Sequence, residues 1–184
     1  MAELHTNLYF KHSNPETQEK LKSVFGTIND RPKPVYEDIE TGLPEKATEI
    51  SPDKGKELAN ELLSTVTNSY GSPTDDLFAE SRWDKAGYHA LHFVHGSSGT
   101  DIIELIVDFI GELAPGVDVR ACLCGDDDPW EIFYRYENGS VKQEYFEPDE
   151  IEDPDELPEV YLWWHDGLPS EIKDGFLNEW LEEE

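Results

Sequence analysis

Three histidines spaced three residues apart, His89, His92 and His95, are residues whose type could bind a metal ion. They lie in a stretch predicted to be a strand, where alternate residues face opposite sides, so His92 faces away from the other two. Three ligands from this one strand therefore cannot meet at a single ion. A zinc site would also need His5, His12 or an acid from a neighbouring strand. The three histidines are interpreted as polar positions of a sheet.

The two cysteines of the chain, Cys122 and Cys124, form a Cys-x-Cys pair. Strand periodicity places both side chains on one face. Structural zinc sites usually have four ligands and no second cysteine pair exists, so both are interpreted as small buried apolar residues. Their acidic surroundings disfavour a reactive thiolate, and their spacing is too short for an ordinary disulfide. The sequence therefore predicts no cofactor, no metal site and a cytoplasmic location.

Three consecutive acids, Asp126 to Asp128, could bind calcium or magnesium, because hard cations prefer clustered carboxylate oxygens. The cluster lacks the alternating acids and closing Glu of an EF-hand loop, so a solvated turn between strands is the preferred interpretation. A divalent-metal-dependent hydrolase that uses Asp126–Asp128 stays open as an alternative. No nucleophile stands out with a base and an orienting acid, so the sequence does not support catalysis.

Acidic residues are concentrated in the last third of the chain. The formal net charge is −28, and the residues from Asp126 onward hold 21 acidic and three basic side chains, a net charge of −18. Such a surface repels nucleic acid and anionic membranes, which both require Lys and Arg for binding. A basic partner protein, in particular one that binds nucleic acid, is its electrostatic complement.

This acid allows three interpretations. It could be a solvated surface typical of salt adaptation, a carboxylate array that imitates DNA phosphates, or the contact surface of an immunity protein that neutralises a basic toxin. Salt adaptation is disfavoured because the first 125 residues are less acidic and keep eight of the ten lysines. The predicted contact residues for a basic partner are Asp126, Asp127, Asp128, Glu144, Glu147, Asp149, Glu150, Glu152, Asp153, Asp155, Glu156 and Glu159, with Trp163 or Trp164 as an apolar anchor.

Local patterns predict an α+β chain that forms one domain over residues 1–184. The clearest helix covers residues 101–114, where apolar residues recur at helical spacing. Other helices are predicted at residues 15–25, 51–70 and 169–180, and strands at residues 4–12, 77–85, 88–96, 117–124, 130–136 and 141–146. Residues 31–50 are predicted to be a loop insertion, residues 147–159 an acidic arm, and residues 160–184 a C-terminal strand and helix.

Three segments resemble a known family. The opening LHTNLYFKHSNPETQEKLKSVF is similar to the start of YubB-type ferredoxin-like proteins of plasmids and phages, as is LFAESRWDK. The segment WEIFYRYENGSVKQEYFE resembles that family's closing hairpin. The resemblance covers residues 3–25 and 77–147. It implies a ferredoxin-like, mainly antiparallel sheet with helices on one face and a mobile-element origin, and it brings no catalytic residues.

Together these features predict a non-enzymatic acidic interaction protein. The specific hypothesis is a phage- or plasmid-encoded inhibitor that binds a basic nucleic-acid-binding host protein, such as a defence nuclease, by DNA mimicry. An immunity protein and the metal-dependent hydrolase are the alternatives. The sequence contains no apolar run near the ~18 residues of a membrane span and begins without a signal-peptide pattern. It does not indicate an oligomeric state.

Overall fold

The computed structural model describes residues 4–29, 54–70, 78–95, 99–125, 130–147 and 156–175. The loop insertion predicted at residues 31–50 lies outside these ranges. The described chain contains the strands β1 (Leu4–Lys11), β2 (Ser81–Lys85), β3 (Tyr88–His95), β4 (Asp118–Gly125), β5 (Glu131–Glu137) and β6 (Ser140–Phe146), and the helices α1 (Pro15–Asn29), α2 (Lys54–Tyr70), α3 (Gly99–Leu113) and α4 (Glu159–His165).

The six strands form one antiparallel sheet in the order β2-β3-β1-β4-β5-β6. Two hairpins close through two-residue turns, Ala86-Gly87 and Asn138-Gly139, in which all four residues have positive φ. Positive φ at both turn residues gives a backbone twist that matches the twist of the paired strands. The α+β class and the mainly antiparallel sheet predicted from the sequence are confirmed.

One face of the sheet packs against α1, α2 and α3. Alternate β1 residues, Leu8 and Phe10 among them, point into this layer and are fully buried. They meet the apolar stripe of α3, which includes Ile102, Ile106 and Ile110. Burial of such side chains contributes about 1.5–3 kcal/mol each, so this layer is the principal hydrophobic core.

Helix α1 begins where the sequence predicts and ends later. The Asn14 side-chain Oδ1 accepts a hydrogen bond from the Glu16 backbone N–H (3.0 Å), which is an N-cap. The predicted stop at Gly26 is wrong, because the helix continues and buries Ile28 completely. A Cβ at Gly26 would lie 2.8 Å from the Arg82 guanidinium, so this glycine provides space for a neighbour.

The opposite face of the sheet is covered by residues 156–175, named here the C-terminal cover. The strand predicted at residues 160–164 is wrong, because these residues belong to α4. Tyr161 and Trp164 are both fully buried against the sheet. Residues three apart share one side of a helix and face opposite sides of a strand, so only the helix buries both rings.

Two arginines of the sheet hold the end of α4. Arg120 and Arg135 lie opposite each other in the β4–β5 pair. Arg120 Nη1 donates to two carbonyls there, including that of Trp164 (2.5 Å), and Arg135 Nη1 donates to the Trp163 carbonyl (2.6 Å). The Asp118 carboxylate accepts two further bonds from Arg120, at 2.7 and 2.9 Å. The arginines thereby satisfy carbonyls that have no partner within the helix.

The last described residues of the cover are not helical, although the sequence predicts a helix from residue 169. Ile172 and Asp174 are both buried, which is the two-residue spacing of an extended chain. The remainder of the predicted helix, from residue 176 onward, lies outside the described ranges. None of the described helices is long and apolar enough to cross a lipid bilayer.

Candidate functional site

Four of the acidic residues predicted to contact a partner are described. Glu147, Glu156 and Glu159 are exposed, and Glu144 is partly exposed and forms an ion pair with Lys142 (3.6 Å). The predicted contact residues outside the described ranges are Asp126, Asp127, Asp128, Asp149, Glu150, Glu152, Asp153 and Asp155.

The end of β6 lies against the start of the C-terminal cover. The rings of Phe146 and Tyr161 pack edge to face with their centroids 5.1 Å apart. Glu147 directly follows Phe146, and Glu159 precedes Tyr161 by two residues. The fold therefore brings the described acids on both sides of the predicted acidic arm to one end of the sheet.

The two tryptophans predicted as alternative anchors have different positions. Trp164 is completely buried and packs against Phe133 (centroids 5.4 Å apart), so it cannot be an outward anchor, and that alternative is wrong. Trp163 is half-buried, and its Nε1 donates to the Glu137 carboxylate (2.9 Å). The Lys142 ammonium lies 4.8 Å from the Trp163 ring centroid. Helical geometry is the reason that only one of the adjacent rings enters the core.

Two large side chains that the sequence analysis did not select are exposed, one on each face of the sheet. Tyr145 on β6 and Leu162 on α4 each keep 55% of their surface accessible. Tyr145 stacks on Trp130 (centroids 6.0 Å apart) and donates its hydroxyl to Glu147 (2.7 Å). Tyrosine is enriched among the anchors of protein interfaces, whereas leucine is under-represented there. Leu162 faces solvent because Tyr161 and Trp164 occupy the buried side of α4. No local pattern in the sequence predicts this exposure.

A second group of reactive side chains lies between the sheet and the C-terminal cover. Cys122 and Cys124 share one face of β4, as predicted, with their Sγ atoms 3.9 Å apart. Asp174 of the cover lies over them, and one ligand atom from each of the three residues fits within 4.8 Å of the other two. Burial raises the pKa of the Cys122 thiol well above its ordinary value. Without a cation, this thiol is therefore neutral at physiological pH.

The Asp174 carboxylate is held by three donors. The Tyr9 hydroxyl donates to Oδ2 (2.9 Å), and the Asn7 side-chain amide (3.2 Å) and the Gly175 backbone N–H (3.0 Å) donate to Oδ1. Burial raises the pKa of Asp174 to about 6, and the hydrogen bonds oppose this rise. Burial, assisted by the Asp174 charge, also raises the pKa of Tyr9. The carboxylate is therefore fixed in position but poorly solvated.

A histidine pair adjoins this group on the sheet. His92 faces away from His89 and His95, as predicted, and its Nδ1 lies 2.8 Å from Asn7 Oδ1. Its ring stacks on His5 with centroids 5.4 Å apart. Burial lowers the pKa of His92, and the neighbouring His5 lowers it further. Asn7 thus connects the histidine pair to the Asp174 carboxylate.

The other two histidines of β3 face the helix-covered core. His89 bonds to the Asp84 carboxylate (2.9 Å), and His95 bonds to the Thr6 hydroxyl (2.7 Å). His89 and His95 therefore lie on the opposite side of the sheet from Cys122 and Cys124. The prediction that the three histidines cannot converge on one ion is confirmed.

Asp174 is the residue that the sequence analysis missed. The predicted helix from residue 169 gave no reason to place this acid beside β4, and fifty residues separate it from Cys124. The one feature of the sequence that pointed to this group was the placement of Cys122 and Cys124 on one face of their strand. The chain matches no protein-family model, no curated protein and no solved structure at a significant level. Function must therefore be argued from these side chains.

Proposed function

We propose that this protein is a non-enzymatic inhibitor that binds a basic, nucleic-acid-binding host protein through the acidic surface of its C-terminal third. The observation that carries the proposal is the net charge of −18 from Asp126 onward. A field of this strength steers a basic partner toward the surface and excludes nucleic acid itself.

The C-terminal cover supports the proposal because it attaches acids to a folded surface. Arg120 and Arg135 hold the end of α4, and the same helix buries two aromatic rings. Glu156 and Glu159, at its start, are thereby fixed relative to the sheet. A partner that binds duplex DNA reads regularly spaced charge, about one per 1.7 Å of axis, so fixed carboxylates suit DNA mimicry better than mobile ones.

Internal contacts engage basic residues of the last third. Arg135 binds the α4 carbonyl and pairs with Glu137 (3.3 Å). Lys142 lies between the Trp163 ring and the Glu144 carboxylate. Two of the three basic residues in the last third are thus directed at their own chain, where they organise the fold.

We infer a ferredoxin-like arrangement for the first four strands. Their order is β2-β3-β1-β4, with α1 and α2 between β1 and β2 and α3 between β3 and β4. This is a β-α-β-β-α-β plan with one extra helix, and the β5–β6 hairpin extends the sheet beyond β4. The plan supports the resemblance to YubB-type proteins, from which the proposed phage or plasmid origin follows, and the two free cysteines support the proposed cytoplasmic location.

Displacement of proteins from immobilised duplex DNA tests the proposal. Proteins from a bacterial lysate are bound to the DNA at low ionic strength, and the purified protein is then added. We expect it to release one or more basic proteins and to form a complex with each in the absence of DNA. The complex should weaken steeply with added salt, because opposite charges at the surface are screened.

Three outcomes are informative. Release that is competed by free duplex DNA supports mimicry. Binding of a basic protein that DNA does not compete contradicts mimicry and favours the immunity alternative. If no DNA-bound protein is released at stoichiometric concentration and low salt, the proposal is wrong. An unrelated folded protein of similar net charge serves as the control for nonspecific ion exchange.

A further inference from the structure

The thiol and carboxylate group beneath the C-terminal cover has the composition of a metal site. Cys122 and Cys124 come from one strand, and Asp174 comes from a segment fifty residues later in the chain. Side chains from two separate parts of the fold therefore converge within 4.8 Å. We propose that Cys122, Cys124 and Asp174 bind a zinc ion that joins β4 to the cover.

The distance between the sulfur atoms fits tetrahedral zinc. In such a site, Zn–S bonds of about 2.3 Å place two sulfur atoms about 3.8 Å apart. The Cys122 and Cys124 Sγ atoms lie 3.9 Å apart. This distance is almost twice the length of a disulfide bond, about 2.05 Å, and both cysteines are free thiols. Both sulfurs can bind zinc with little movement of the backbone.

Charge provides a separate argument. Asp174 is 4% exposed, and its hydrogen bonds in the described part of the chain come from a hydroxyl, an amide and a backbone N–H, which are all neutral donors. Burying a carboxylate is costly, and the charge of Lys85 is the smallest of the effects that oppose this cost. A divalent ion on the two sulfur atoms would offset that cost directly beside the carboxylate.

Hydrogen bonds already orient the acidic ligand. Tyr9 and Asn7 extend from β1, the strand beside β4, and each donates to Asp174. Outer partners of this kind fix the orientation of a metal ligand and raise its affinity for the ion. Their position on the central strand makes the carboxylate part of a rigid support.

Glu131 is the candidate for the fourth ligand. It faces Cys124 in the β4–β5 pair, with its Oε1 4.0 Å from the Cys124 Sγ. Gly175 makes this approach possible, since a Cβ at that position would collide with the Glu131 carboxylate. A water molecule could complete the coordination if Glu131 stays in place, and the three primary ligands are the same in both cases.

The types of ligand atom indicate which metal ion the site prefers. Calcium and magnesium prefer oxygen ligands alone, whereas two thiolates and a carboxylate suit zinc. Metal binding would deprotonate the thiols, so affinity should rise with pH as bound protons are released. The site is distinct from the proposed acidic contact surface, and its failure would leave that proposal unchanged.

Zinc content and cobalt substitution test the site on the untagged full-length protein. Purification without chelator should yield about one zinc ion per chain. Replacement by Co²⁺ should produce a near-ultraviolet thiolate-to-cobalt charge-transfer band together with visible bands of tetrahedral cobalt. Zinc at a hundred times its dissociation constant should raise the melting temperature by roughly 5–10 °C over the metal-free protein.

Single substitutions identify the ligands. Cys122→Ser, Cys124→Ser and Asp174→Asn should each weaken Co²⁺ and Zn²⁺ binding at least about tenfold. Asp166→Asn is the matched control, because this exposed acid belongs to the same cover and should leave the affinity unchanged. Melting curves in chelator show whether each variant is folded. If a cysteine variant does not fold, Asp174→Asn still shows whether the metal binds at the proposed site.

Some results would overturn the proposal. A protein that retains no zinc and gives no thiolate–cobalt band has no such site. Zinc that survives in the Cys122→Ser and Cys124→Ser variants binds elsewhere, with the His5 and His92 pair as the next candidate ligands. Equal weakening in Asp174→Asn and Asp166→Asn would show that only overall charge matters.

Discussion

The two faces of the sheet are stabilised in different ways. The face toward α1, α2 and α3 is a mainly apolar layer in which strand residues such as Leu8 and Phe93 are fully buried, and its buried polar side chains are Thr6, His89 and His95. The other face holds aromatic rings, two thiols, a buried arginine and a buried carboxylate. An apolar side chain can pack against many different apolar neighbours, whereas a buried polar group requires a specific hydrogen-bonding or charged neighbour. The first face therefore provides bulk stability, and the second fixes the C-terminal cover in one position.

Matched phenylalanine substitutions on the two faces should produce the largest effects. Phe93→Ala and Phe133→Ala each remove a fully buried ring and should cost about 3–5 kcal/mol. Only Phe133 contacts Tyr161 and Trp164 of the cover. At a denaturant concentration where both variants remain folded, metal-free Phe133→Ala should react faster with a thiol reagent at Cys122. Equal reactivity would mean that the cover opens only when the whole protein unfolds.

Removal of Arg120 should be nearly as costly. Arg120→Met leaves the buried side of Asp118 and the final carbonyls of α4 without their donor, and we expect a loss of about 3 kcal/mol in urea unfolding. Arg135→Met is the comparison, because its side chain is more exposed and makes one α4 bond, so it should cost about 1 kcal/mol. Similar losses would contradict the principal role of Arg120 in holding α4.

Two glycines with positive φ allow a smaller contrast. Gly139→Ala meets no neighbouring atom, so only backbone strain applies, about 1 kcal/mol. Gly175→Ala adds a collision with the Glu131 carboxylate and should cost about 2–3 kcal/mol. Thermal unfolding measures both variants. If Gly175→Ala is no worse than Gly139→Ala, Glu131 does not lie against the cover in solution.

The smallest effect is a pH dependence on the helix-covered face. Burial lowers the pKa of His89; the Asp84 carboxylate opposes this shift, and the charges of Lys22 and Arg82 add to it. The unfolded chain therefore accepts a proton more readily, so His89 removes stability as pH falls below the ordinary value of 6.5. Relative to His89→Gln, the wild type should lose stability between pH 7.5 and 5.5. A constant difference across that range would contradict a buried neutral histidine.

Sequence patterns predicted the first face far better than the second. The α3 stripe and the alternation of β1 follow from local periodicity, and the Asn138-Gly139 turn consists of two residues that tolerate positive φ. The cover depends on contacts between distant residues, such as Tyr9 with Asp174, that no local pattern contains. The short apolar run at residues 160–164 is equally compatible with strand and helix. The helix α4 is favoured because it packs two aromatic rings on the sheet and because its last carbonyls bind Arg120 and Arg135.

The same distinction explains the candidate sites. The charge of the last third is visible in composition, so a basic partner could be predicted from it. Which acids share a surface depends on the contact between β6 and α4, and Asp174 reaches the cysteine pair only through the cover. Composition therefore predicts the kind of partner, and tertiary contacts determine which side chains lie together.

The central claim is that acids beside the C-terminal cover, rather than net charge alone, bind the partner. Two triple variants with equal net charge test it in the displacement assay from duplex DNA. The first neutralises exposed acids beside the cover and the second neutralises exposed acids of α3. The variants are Glu144→Gln/Glu156→Gln/Glu159→Gln and Asp101→Asn/Glu104→Gln/Glu112→Gln.

The concentration that releases half of the DNA-bound partner is the quantity to measure. At low salt, neutralising the acids beside the cover should raise it about tenfold, while neutralising those of α3 should change it less than about twofold. The difference should shrink as salt screens the charges. Equal increases in the two variants would contradict the claim and would assign the binding to net charge alone.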